Sequence, residues 1–196
     1  FTGRLHVSLL DPEYALGYKG TYLGTKKVLT LGAGVQYEPD AVYSDVAKKT
    51  GAKNYKAWTL DAFLEYPVEN AGTFTLSSAY LATDFDDAYK GSDPDPESLG
   101  LDGDKRGWYV KAGFLFPSKI GPGQLQPFLR YEDWNFAKLD NVFDQKIKWI
   151  GGGINYLING QNIRMTLEYS KTNFDKEADS ISKDFNTVTA MLQYRF

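Results

Sequence analysis

Apolar and polar side chains alternate, residue by residue, along most of this chain. A period of two belongs to β-strands whose two faces meet different surroundings. In the last such stretch Val188, Ala190, Leu192, Tyr194 and Phe196 fall on one side, and Thr187, Thr189, Met191, Gln193 and Arg195 on the other. Before it, Ile163, Met165, Leu167 and Tyr169 alternate with Arg164, Thr166, Glu168 and Ser170. The same rhythm sets Trp58, Leu60, Ala62, Leu64 and Tyr66 against Thr59, Asp61 and Glu65, and Leu29, Leu31, Ala33, Val35 and Tyr37 against Thr30, Gly32, Gly34 and Gln36.

Nine strands are expected, near 3–11, 27–38, 55–67, 72–84, 107–117, 124–135, 147–158, 161–172 and 185–196. Short turns separate some of them: Glu69-Asn70-Ala71-Gly72, Ile120-Gly121-Pro122-Gly123 and Asn159-Gly160, the last a strong hairpin signal because such turns need φ > 0. The connections 39–54, 84–106, 136–146 and 173–184 are longer and polar, and Asp40–Lys53 is the one stretch able to form a short helix. Short turns at one end and long loops at the other describe an antiparallel transmembrane β-barrel. The connection 12–26 breaks the pattern, being long where a short turn is due.

Composition narrows the chemistry. The 196 residues include no Cys and one His, so disulfides, thiolate metal sites, multi-histidine metal centres and Cys nucleophiles are excluded. No Ser–His or His–carboxylate constellation for catalysis appears, His6 being the only candidate base, and no cofactor motif is present. The reading is therefore of a chain that is not an enzyme and holds no metal or cofactor. A net charge of −3 gives no basic excess for nucleic acid. Mean hydropathy is −0.42 and no run approaches the roughly 18 apolar residues of a membrane helix, but this says nothing against a barrel, whose strands dilute apolar residues two-fold.

Alternation alone does not say which face is inside, and a soluble lipocalin-like barrel alternates too. Three features favour the membrane. Aromatic residues stand at strand ends, where an interfacial girdle would need them: Tyr37, Trp58, Tyr66, Trp108, Phe116, Tyr156, Tyr169, Tyr194 and Phe196. The polar faces carry charges of both signs in mid-strand, which a wet lumen tolerates. The strands also have the length to cross a bilayer at a tilt. Nine is an odd number, whereas single-chain bacterial barrels have even counts and lipid tolerates no open edge. The chain also opens directly on a strand and ends on Phe196 in mid-alternation. It is expected to be the C-terminal part, in a single transmembrane domain over 1–196, of a larger barrel.

The segment 3–38 resembles porins of the phosphate-selective porin O/P type, in Gly3-Arg4-Leu5-His6-Val7, Leu10-Asp11-Pro12-Glu13, Gly20-Thr21-Tyr22-Leu23-Gly24 and Gly32-Ala33-Gly34. Tyr194-Arg195-Phe196 resembles the assembly signal of outer-membrane barrels. The resemblance implies a barrel of about 16 strands in the bacterial outer membrane. It also implies passive diffusion of small anions or other hydrophilic solutes, contacts with membrane lipid and lipopolysaccharide, and a homotrimer. Relatives in metal-reducing bacteria give an alternative, a sheath insulating a partner such as a multihaem cytochrome; the chain lacks CxxCH, so the haem would be the partner's.

On this register the lumen is lined by Arg4, Lys111, Arg130, Arg164 and Arg195 against Asp61, Glu65, Glu132 and Glu168. Such charges set porin selectivity. Phosphate-selective relatives are expected to carry a basic ladder, and this mixed set departs from it. The acidic loop 84–106 and Lys48, Lys49 and Lys53 read as solvated loop charges, the lysines being placed to meet lipopolysaccharide phosphates.

Overall fold

The structure is a computed structural model describing residues 1–13, 20–45, 48–86, 103–139, 142–177 and 183–195. Ten strands form it: β1 (Thr2–Ser8), β2 (Val28–Asp45), β3 (Thr50–Val68), β4 (Gly72–Asp84), β5 (Lys105–Leu115), β6 (Lys119–Ile120), β7 (Gly123–Leu139), β8 (Val142–Leu157), β9 (Ile163–Phe174) and β10 (Phe185–Tyr194). Strand accounts for 76% of the described residues, and no helix forms among them. Each long strand pairs antiparallel with the next, from β1 to β10, while β6 only closes the turn before β7. The result is one open antiparallel sheet.

The nine expected strands are the nine long ones: β2, β3, β7 and β8 run further than expected, whereas β1 stops at Ser8 and β10 at Tyr194. The helix expected at Asp40–Lys53 is not there. The β2–β3 hairpin instead continues past a bulge, pairing Val42 with Lys53, Tyr43 with Ala52 and Asp45 with Thr50. Pro39 donates no hydrogen bond and Asp40 turns to φ 51, so the ladder breaks there and then resumes. Val42, Tyr43, Thr50 and Tyr55 favour the pleat over a helix. Similarly, most of 136–146 is strand, with Lys138 paired to Phe143. Of the acidic loop, residues 87–102 lie outside the described residues.

Burial is inverted relative to a soluble barrel. Many large apolar side chains are bare, Leu129 and Val188 being 70% exposed, whereas Glu65 and Gln145 are wholly buried, beside a few apolar residues such as Phe63 and Phe128. The apolar face is thus the outer one. Its middle carries Leu31, Ala33, Val35, Leu60, Ala62, Val110, Leu129, Ile150, Ile154, Leu167 and Leu192, with no charge among the described residues of this belt. Aromatics bound it on both sides. Toward the short turns stand Tyr66, Phe116, Tyr156 and Tyr194, and toward the long loops Tyr37, Trp58, Trp108 and Tyr169. Phe196 lies outside the described residues. Trp58 stacks on Tyr80 at 4.8 Å, Trp108 pairs with Tyr80 across β4 and β5, and Trp108 meets Tyr131 at 5.2 Å, so one aromatic row crosses four strands. Trp58 and Tyr66 are separated by about 26 Å of strand at the usual rise, which a barrel tilt reduces to about 20 Å of depth.

Two glycines differ in how closely the neighbouring strand approaches. A Cβ at Gly153 would strike the Leu167 carbonyl and lie 2.9 Å from the Glu168 Cα, both backbone. At Gly113 the nearest atom would be 3.5 Å away, an ordinary contact. Gly153→Ala is therefore expected to destabilise the folded protein by about 1–3 kcal/mol. Gly113→Ala is expected to stay within about 0.5 kcal/mol. Urea unfolding in lipid vesicles, followed by tryptophan fluorescence, measures both.

Candidate functional site

The polar face faces inward, and eight of the nine charges singled out in the sequence sit in its strands, with Arg195 just past β10. What the sequence did not reveal is how they pair. Arg4 on β1 reaches over β2 to Asp61 on β3, its two Nη atoms donating to the two carboxylate oxygens at 2.7 and 2.9 Å. Such a bidentate pair is stronger than a single charged contact. Gly32 on the intervening strand makes room, because a Cβ there would lie 2.6 Å from both partners. Arg130 forms an ion pair with Glu132, its guanidinium 5.0 Å from the Trp149 ring. Glu132 also accepts from the Trp134 indole N–H at 2.8 Å. Two acids are thus neutralised by two arginines.

Glu65 has a different fate. It is buried beneath residues 20–24, part of the overlong first connection, which folds back over the polar face. One carboxylate oxygen accepts from the Thr21 hydroxyl at 2.6 Å and the Tyr22 N–H at 2.8 Å; the other accepts from the Gly24 N–H at 2.8 Å. Tyr22 packs on Phe63 with ring centres 6.4 Å apart, and its hydroxyl donates to Glu13 at 2.6 Å. The far side of the segment is held by the Gln161 side-chain amide, which donates to the Thr21 carbonyl from the β8–β9 turn.

Between this segment and the sheet lies a cavity of about 220 Å³. Lys111, Arg164, Thr75, Gln126, Asn155 and Gln161 are among its lining residues. Asn155 donates to Gln126 at 3.0 Å and accepts from Thr166 at 2.7 Å, a neutral ladder across three strands. The Lys111 ammonium stands 4.3 Å above the Phe128 ring. Arg164 donates to Gln193 at 2.6 Å, but its buried Nε has no partner, nor does the hydroxyl of Thr75, a residue only 9% exposed. Glu168, facing Gly153 and Thr189, is the acid of the set left on this part of the face. Arg195 donates its backbone N–H to the Asn162 carbonyl at 2.8 Å.

Thr75, Gln126 and Asn155 escaped the sequence reading because neutral polar residues on a strand's wet face look alike, and Thr21 and Gln161 because they lie in connections without a periodic pattern. The one available signal was the length of the connection 12–26. Among the described residues no cluster of potential metal ligands forms. Lys48, one of the loop lysines, pairs with Asp45 at 3.0 Å.

The family model for phosphate-selective porin O and P matches residues 7–196, nearly the whole chain. No curated protein and no solved structure matches it.

The Tyr22 contacts give a spectroscopic handle on the segment. Burial, then the hydrogen bond and charge of Glu13, push its pKa from 10.0 up to about 12. The neutral phenol is the form that the fold favours, so this contribution is intact below pH 10 and fades as pH rises through about 12. The difference between native and Tyr22→Phe absorbance titrations at tyrosinate wavelengths is expected to rise near pH 12 rather than near pH 10.

Proposed function

Because the chain belongs to the phosphate-selective porin O and P family, a family of Gram-negative outer-membrane porins, we propose that its polar face lines an aqueous pore with a preference for small anions. The observation that carries this reading is the charge remaining after pairing. Arg4 cancels Asp61 and Arg130 cancels Glu132, while Glu65 keeps its charge but is buried under neutral donors, away from the open face. Lys111 and Arg164 then face the confined cavity, with Glu168 as the acid nearby. A nominal balance of five cations to four anions becomes, locally, a cationic constriction. Unpartnered donors on Arg164 and Thr75 suit a passing anion that sheds part of its hydration. The remaining cations are few, and the reading is anion preference rather than selectivity for phosphate.

The rest of the assembly follows from the same reading. The aromatic rows sit at the two interfaces, the short turns face the periplasm and the long loops face outward. The sheet is one arc of a barrel that further strands close, because two bare edges would leave backbone groups unsatisfied in lipid. Passive diffusion needs no catalytic group, and nothing favours enzymatic activity. The sheath alternative finds no support in the family, and residues 20–24 occupy part of the space that a lumen-filling partner would need.

The test is the reversal potential of the intact protein in a planar bilayer under a tenfold KCl gradient. The native protein is expected to pass chloride over potassium, and Lys111→Glu combined with Arg164→Glu to shift the potential toward potassium. Cation preference in the native protein, or an unchanged potential in the double variant, would contradict the proposal.

A further inference from the structure

We infer that Glu65 is the latch that holds residues 20–24 over the polar face, and so sets the width of the passage beside Lys111 and Arg164. The inference rests on the porin reading for its functional meaning, and on geometry alone for the latch.

The chain conformation over Glu65 is one that the local sequence does not favour. Thr25 donates its N–H to the Tyr22 carbonyl at 3.2 Å, closing a turn with Leu23 at φ 57 and Gly24 at φ 76 at its centre. Two successive left-handed residues make a type I′ turn, which favours Asn, Asp or Gly at its first central position. A leucine there is strained. The turn nevertheless points the N–H groups of Tyr22 and Gly24 at one carboxylate, while the Leu23 N–H is taken by Thr21 Oγ1 at 3.0 Å. Converging backbone N–H groups form an anion nest, and the anion here is a side chain of the protein. Glu65 in turn has no basic residue among its hydrogen-bond partners; its burial is offset by these three donors. Turn and carboxylate therefore depend on each other. Other holds on the segment include the Gln161 amide, the Glu13–Tyr22–Thr30 contacts, the Tyr22 ring on Phe63 and the approach of Leu23 to Gly160.

The consequence is a passage whose bore is sensitive to one residue. The segment roofs the cavity that Thr75, Ser77, Lys111, Gln126, Asn155 and Arg164 floor from five strands. Solutes moving along this wall pass under or beside it. Glu65→Gln keeps the volume but turns an NH₂ toward groups that are themselves donors. The roof then lifts and the bore widens.

The absence of native Cys in this chain allows a direct reporter. Gly113 lies on the cavity floor with room for a Cβ, and Gly113→Cys places a thiol beneath the roof. In the intact protein reconstituted in vesicles, a bulky membrane-impermeant thiol reagent is expected to label this cysteine slowly. With Glu65→Gln added, the rate is expected to rise about tenfold or more, since losing charged hydrogen bonds shifts the open population by at least that factor. Thr21→Val, which removes one of the three donors, is expected to give a smaller rise and covers the case in which Glu65→Gln fails to assemble. Heat-modifiable migration on a gel checks that each variant is folded. In planar bilayers Glu65→Gln is expected to raise single-channel conductance. Equal labelling rates in folded native and variant proteins would overturn the latch, as would fast labelling in the native protein. If the native protein carries no current, the porin reading fails, and the labelling rates still decide the latch because they need no current.

Discussion

Hydrocarbon offers no hydrogen-bond partner, so a chain that crosses it must satisfy every backbone N–H and C=O from within. The rest of this structure depends on that constraint. One antiparallel meander carries the ladder from β1 to β10 without a crossover, and each strand takes its neighbour in sequence as its neighbour in space. Pleating then sends successive side chains to opposite faces. One face must be apolar for lipid, which leaves the polar residues facing one another across the inside.

Inside, the difficulty is the reverse of a soluble core. Charges and amides crowd a partly enclosed space and must find partners. Arg4 and Asp61 do so across an intervening strand, which works only because Gly32 has no side chain. Arg130 and Glu132 do so two residues apart on one strand, with Trp149 beneath the guanidinium. Glu65 is met by backbone from a connection that folds inward for it. Beside the cavity Lys111 and Arg164 have no carboxylate partner among the described residues, and there the wall becomes chemically distinctive.

Much of this was legible in the sequence. Alternation placed the nine long strands and the two faces, and the strand-end aromatics anticipated the rows around Trp58 and Trp108. What alternation did not carry was continuation above the aromatic row, where strands lose their apolar stripe. The β2–β3 hairpin past Pro39 therefore read as loop and helix although its ladder continues to Asp45 and Thr50. Pairing among inward charges was also invisible, because it depends on register between strands far apart in sequence, as with Arg4 and Asp61. The inward segment left only its length as a trace. Its anchors are a threonine, a glutamine and backbone N–H groups, residues with no pattern of their own.

The apolar face is to meet lipid and the polar face water, and the four tryptophans divide evenly between them. Trp58 and Trp108 stand on the apolar face; Trp134 and Trp149 stand on the polar one, paired with Ile147 and Glu132. Single-tryptophan variants of the intact protein in vesicles of brominated lipid would read the faces separately. Strong quenching by bromine is expected at Trp58 and Trp108, with little at Trp134 and Trp149. Quenching of Trp134 and Trp149 with Trp58 and Trp108 spared would turn the sheet inside out and contradict this orientation.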